Sequence, residues 1–71
     1  MIDIQRFITY KLVEAREESN LTQAKVSKQS GFSQSKISKI ENGTIQIAAF
    51  QLYILAIVLK KPINYFFPKS E

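Results

Sequence analysis

The chain has 71 residues, of which 45% are apolar and 23% are charged, a composition typical of a small globular protein rather than of a disordered segment. It contains no cysteine and no histidine, which excludes disulfides, thiolate and imidazole metal sites, and the commonest general base at neutral pH. Ten basic residues against six acidic ones give a net charge of +4, so we expect a polyanionic partner and a binding protein rather than an enzyme, with no metal and no cofactor.

The first part of the chain has the periodicity of helices. Apolar residues recur at three- and four-residue steps and predict an amphipathic first helix, with a stripe of Ile4, Phe7, Ile8, Leu12 and Ala15. This helix should end near Ser19-Asn20, because Asn tolerates the left-handed conformation that follows many helices. Thr22 suits the N-cap of a second helix over 23–30, which Gly31 should end.

The rest of the chain predicts three more helices. Ser33 suits the N-cap of a third helix over 34–41, and Asn42-Gly43 should end it. A fourth helix should occupy roughly residues 48–60, and a short fifth helix should occupy residues 63–67. We therefore expect an all-α fold, a compact domain of five helices.

The sequence predicts no membrane segment. Its most apolar stretch, residues 45–59, is shorter than the roughly 20 residues that a membrane span needs, and Gln46 and Gln51 interrupt it. The N-terminus lacks a cationic start followed by an apolar run, so we expect no signal peptide. The interpretation is one cytoplasmic domain over residues 1–71.

Two short helices joined at Gly31, each preceded by a hydroxyl residue, are the pattern of a central helix-turn-helix. Three segments closely resemble the Cro/phage-repressor-type helix-turn-helix family, also called the xenobiotic-response-element family: Leu21-Thr22-Gln23-Ala24, Ser30-Gly31-Phe32-Ser33-Gln34-Ser35 and Ile37-Ser38-Lys39-Ile40-Glu41-Asn42-Gly43. The ending Ile63-Asn64-Tyr65-Phe66-Phe67 is similar to the last helix of that family, so the resemblance covers about residues 8–67. It implies a lambda-repressor-like domain whose third helix enters the major groove of double-stranded DNA, usually as a homodimer on a two-fold-related operator.

The third helix carries the candidates for base contact. Ile37 and Ile40 should face the core, which leaves a polar face made of Gln34, Ser35, Ser38 and Lys39. Gln can form two hydrogen bonds with adenine, Lys can reach the acceptors of guanine, and Ser allows a close approach. The resemblance implies that Gln34-Ser35 is the first base-reading pair and that Lys39 faces bases in some members. A merely solvated helix face is the alternative.

Six residues are candidates for contact with the DNA backbone: Thr22, Gln23, Lys28, Ser33, Lys36 and Asn42. The resemblance implies that Gln23 binds a phosphate and can brace Gln34. We assign Thr22 and Ser33 to helix capping first. A capping hydroxyl can also donate a hydrogen bond to a phosphate, so both remain candidates for backbone contact. The loop Thr44-Ile45-Gln46-Ile47 lacks the basic residues common in the family, and Lys36 is an extra cation that replaces part of this charge.

Arg16 and Glu41 have a structural explanation. Glu41 ends the third helix, where a carboxylate opposes the helix dipole, and Arg16 lies beside the apolar stripe of the first helix. A salt bridge between them, common in the family, explains both positions. The acidic residues Glu14, Glu17 and Glu18 are interpreted as a solvated helix face and not as a catalytic site.

The fourth helix is apolar on more than one side. One stripe should face the core (Leu52, Leu55, Ala56 and Leu59), and a second faces elsewhere (Phe50, Tyr53, Ile54, Ile57 and Val58). We expect the second stripe, extended by Tyr65 and Phe67, to form the interface of a two-fold dimer. The alternative is that the segment Met1 to Phe7 folds back over it.

These patterns favour a sequence-specific DNA-binding transcriptional regulator, with repression as the expected role. No sensor region is visible, so we expect no small-molecule ligand. A restriction–modification controller protein is a close variant. An antitoxin-type module, which binds a partner toxin and its own promoter, is the alternative from another class of protein.

Overall fold

The computed structural model describes residues 3–69, which contain four α-helices, one short 3-10 helix and no strand. The helices are α1 (Ile4–Glu18), α2 (Gln23–Ser30), α3 (Gln34–Glu41) and α4 (Ala49–Val58), and the 3-10 helix is Ile63–Phe66. The prediction of an all-α fold is confirmed. None of the helices in this part of the chain combines the length and the apolar character needed to cross a bilayer.

The prediction of five helices is wrong, because the last segment does not form an α-helix. Only Ile63–Phe66 are helical, with 3-10 geometry, and Phe67 is already extended at φ −119° and ψ 144°. Proline disfavours the helical conformation in the residue before it, so Pro68 forces Phe67 out of the helix. Pro62 stands at the N-cap, and five residues separate the two prolines. With Phe67 extended, only Ile63–Phe66 are left, which is too short a run for a regular α-helix.

Side-chain caps and left-handed residues set the helix ends. Asp3 Oδ1, Thr22 Oγ1 and Ser33 Oγ each accept a hydrogen bond from the backbone N–H three residues later, at 3.0–3.1 Å. The Asp3 cap of α1 was not predicted. Asn20 adopts the left-handed conformation expected for it, with φ 57°.

The core lies where the helices meet. The helix pair α2–α3 packs against α1 and α4, and the 3-10 helix packs against α1 and α4 from the other end of the chain. The most completely buried large side chains are Phe66 and Ile40. Phe66 therefore anchors the C-terminal segment to the core that positions α3.

Tyr65 attaches the same segment to the surface of α1. Its hydroxyl donates a hydrogen bond to Glu14 Oε1 at 3.0 Å, and its ring lies 4.8 Å from Lys11 Nζ and 4.7 Å from Lys61 Nζ. Burial, followed by the bond to Glu14, raises the pKa of Tyr65 to about 12. The hydrogen bonds from Lys11 and Tyr65 lower the pKa of Glu14.

The pKa of Tyr65 predicts a loss of stability at alkaline pH. An unfolded tyrosine has a pKa of about 10, below the value of about 12 in the fold, so the stabilisation is complete below pH 10 and falls between these two values. Wild type should therefore lose more thermal stability between pH 9 and pH 11.5 than Tyr65→Phe, in which this titration is absent. Parallel melting-temperature curves for the two proteins would contradict the assignment.

Candidate nucleic-acid interface

The outer face of α3 is polar and accessible. Gln34, Ser35 and Lys39 are exposed and Ser38 is half-buried. On the opposite side of the helix, Ile37 and Ile40 are each only 2% exposed. The two isoleucines hold α3 against the core, and the four polar side chains are left on one side for contact with another molecule.

The N-caps of α2 and α3 leave two hydroxyl hydrogens available. Thr22 Oγ1 and Ser33 Oγ act as acceptors in their caps. A hydroxyl also has one hydrogen to donate, so capping is compatible with donation to a phosphate oxygen. Both residues are exposed at helix N-termini, where the helix dipole favours an anion.

Two of the candidates for backbone contact are lysines of the helix pair α2–α3. Lys28 is exposed in the last turn of α2. Lys36 Nζ lies 5.5 Å from the centre of the Phe32 ring, which keeps its ammonium group beside the turn between α2 and α3. With Lys39, they place positive charge on both helices of the pair.

Asn42 follows α3 and has its amide group oriented by Thr44. Its Oδ1 accepts hydrogen bonds from the backbone N–H of Thr44, at 2.9 Å, and from the Thr44 hydroxyl. The acceptor end of the amide is therefore occupied within the loop. The NH₂ end remains a donor at the exposed end of α3.

Gln23 belongs to a polar network that joins three helices. The structure brings Arg16 and Glu41 together, with Arg16 Nε 2.7 Å from Glu41 Oε2 and Nη2 3.1 Å from Oε1. Arg16 Nη1 donates to the Leu21 carbonyl at 2.8 Å, and Gln23 Nε2 donates to Glu41 Oε1 at 3.0 Å. The hydrogen bonds that Arg16 itself donates to Glu41 raise the pKa of Arg16, against the opposing effect of burial.

The network changes the interpretation of Gln23. Its amide nitrogen bonds to Glu41 and not to Gln34, so bracing of Gln34 by this donor is not observed. The second hydrogen of the same nitrogen is still available for a phosphate. Sequence reasoning missed the Gln23–Glu41 contact, because no local pattern pairs residues on two different helices.

The outer face of α4 is apolar and uncovered by residues 3–69. Phe50, Tyr53 and Ile57 are 66%, 59% and 61% exposed, while Ile54 and Val58 are half-buried. Residues 4–7 form the first turn of α1 and leave this face open, and Met1 and Ile2 lie outside the described residues.

Of the two residues expected to extend the α4 face, Phe67 is exposed and Tyr65 is not. Phe67 is 41% exposed. Tyr65 is instead held against α1 by Glu14 and the two lysines, so its ring is not available for an exposed apolar surface.

A comparison with protein-family models matches residues 12–66 to the family described as helix-turn-helix. The match covers more than half of the chain and includes α2, α3, α4 and the 3-10 helix. Searches of curated proteins and of solved structures returned no match.

Proposed function

We propose that this protein is a cytoplasmic, sequence-specific repressor. The chain belongs to the Cro/phage-repressor-type helix-turn-helix family of DNA-binding transcription regulators, which is generally non-enzymatic. It binds a two-fold-related operator as a homodimer, with α3 of each subunit in the major groove. Gln34, Ser35, Ser38 and Lys39 contact bases. Repression follows from occupation of the operator, without a small-molecule ligand.

One observation carries this proposal: donors suited to phosphate lie at both ends of α3, the helix that carries the polar face, and at the start of α2. Thr22 and Gln23 lie at the start of α2, Ser33 at the start of α3, and Asn42 at its end. Backbone contacts on both sides of a recognition helix fix its register in the groove, so that its side chains meet defined base pairs. Lys28 and Lys36 add affinity that does not depend on sequence.

The uncovered face of α4 supports the homodimer. A two-fold axis pairs the same surface on both subunits, so the apolar patch of each subunit is buried against that of its partner. The dimer also presents two copies of α3 to one side of the duplex, as a two-fold-related operator requires.

Base contact by Gln34 predicts a loss of specificity in Gln34→Ala. Operator sequences would first be selected from a random DNA pool with the wild-type protein. On the best selected site the substitution should cost about 1–3 kcal/mol of binding free energy and relax the preference at one base pair.

The matched control for this experiment is Lys28→Ala, which removes a proposed phosphate contact. It should weaken binding to operator and to random DNA by similar factors and reduce the salt dependence of both. An equal loss on the two DNAs for Gln34→Ala would exclude Gln34 from base recognition.

A further inference from the structure

A groove of about 420 Å³ lies between the first turns of α1 and the end of α3. Arg6, Thr9 and Tyr10 line it from α1, and Glu41, Asn42 and Gly43 line it from the other side. Asn42 is also one of the proposed contacts to the DNA backbone. The groove therefore adjoins the proposed DNA surface and extends it onto α1.

The groove has donors suited to a phosphate. Arg6 is exposed and forms no salt bridge with another of residues 3–69. Tyr10 is 63% exposed and supplies a hydroxyl, and Asn42 supplies the NH₂ end of its amide. Guanidinium can donate two parallel hydrogen bonds to a phosphate, which a lysine ammonium cannot do.

Two carboxylates also line the groove, and one of them is neutralised within the fold. Both oxygens of Glu41 accept hydrogen bonds, from Arg16 and from Gln23. Asp3 Oδ1 accepts the backbone N–H of Arg6 as the cap of α1. Asp3 is exposed, and its negative charge opposes the binding of an anion. Removal of this charge should therefore strengthen phosphate binding, whereas removal of the Arg6 charge should weaken it.

The distribution of charge indicates why α1 should contribute. No lysine or arginine occurs between residues 40 and 59, so the loop after α3 and the whole of α4 lack a cation. On this side of α3, Arg6 is the basic residue that lines the groove. A DNA backbone that passes the end of α3 would meet Arg6 next.

We propose that this groove binds a phosphate of the DNA flanking each operator half-site, with Arg6 as the ionic contact and Tyr10 and Asn42 as neutral donors. The proposal rests on the proposed function and deepens it. Arg6 and Tyr10 were not identified from the sequence, although their spacing of four residues places them on one side of α1.

The test uses two duplexes that contain the selected operator. One duplex ends at the outer edge of each half-site, and the other extends by half a helical turn, about 5 base pairs, on each side. On the long duplex Arg6→Gln should weaken binding roughly tenfold and reduce the slope of log K against log[salt] by about 0.9 per subunit. Asp3→Asn keeps a capping oxygen and removes the charge, so it should tighten binding. Neither substitution should change binding to the short duplex.

The matched control is Lys11→Gln, which removes one positive charge from the same helix, where Lys11 faces Tyr65 and Glu14. It should have little effect on either duplex. Equal effects of Arg6→Gln on both duplexes, or an effect of Lys11→Gln as large as that of Arg6→Gln, would overturn the phosphate site. Specific binding by the wild type with no change in Arg6→Gln would overturn this site alone. Absence of any sequence preference in the wild type would overturn the proposed function as well.

Discussion

Ile57→Glu should convert the proposed dimer into a folded monomer that no longer binds its operator. Ile57 is 61% exposed in the single chain, so the substitution leaves the core of the subunit intact. In the dimer each copy would lose about 1.5–3 kcal/mol of apolar burial, and two copies about 3–6 kcal/mol. The dimer dissociation constant should rise about 10²- to 10⁴-fold. Sedimentation and operator binding measure the result, and circular dichroism checks the fold.

The matched control is Ile63→Glu, which places the same charge on another partly exposed isoleucine outside α4. Ile63 is 39% exposed in the 3-10 helix, so Ile63→Glu should remain dimeric and bind DNA. Ile54→Glu is a less selective test, because Ile54 is half-buried and its substitution also disturbs the subunit. An Ile57→Glu protein that stays dimeric and binds normally would exclude α4 as the interface. A wild type that is monomeric alone but binds a toxin through α4 would favour the antitoxin alternative.

Glu41→Ala should destabilise the fold by on the order of 3 kcal/mol, because it leaves Arg16 as an unpaired charge. The two side chains are only 16% and 11% exposed, and Gln23 loses its hydrogen-bond partner as well. A domain of this length has a total stability of about 4–10 kcal/mol, so the substitution removes a large fraction of it. Urea denaturation of the purified protein measures the change.

A double-mutant cycle separates the interaction energy of the Arg16–Glu41 pair from the other effects of the two substitutions. Removing both Arg16 and Glu41 should cost less than the sum of the two single substitutions, since no charge is left unpaired. Glu17→Ala is the control, because Glu17 is an exposed carboxylate on the same α1 that carries Arg16, and it should change stability by less than about 0.5 kcal/mol. Strict additivity of Arg16→Ala and Glu41→Ala would mean that the ion pair does not stabilise the fold.

The ends of the helices could largely be predicted from the sequence, because they depend on residues that are neighbours in the chain. The hydroxyl oxygens of Thr22 and Ser33 cap α2 and α3 by accepting the backbone N–H three residues later, and Gly31 takes the left-handed conformation at φ 83°. The same local signal, an Asp directly before the first apolar residue of a helix, also occurs at Asp3 in front of α1. The polar face of α3 also followed from the sequence, since the helical period alone separates it from Ile37 and Ile40.

Tertiary structure alone decided which distant side chains meet. Gln23 bonds to Glu41 across 18 residues, and Tyr65 bonds to Glu14 across 51 residues. The family resemblance predicts the Arg16–Glu41 pair. No local sequence pattern predicts that Gln23 bonds to the same carboxylate, or that Tyr65 packs on α1 and does not extend the apolar face of α4. The groove beside Arg6 likewise exists only because α1 passes the end of α3. Such contacts depend on how helices cross after the core is buried, and neither propensity nor periodicity within one helix carries that information.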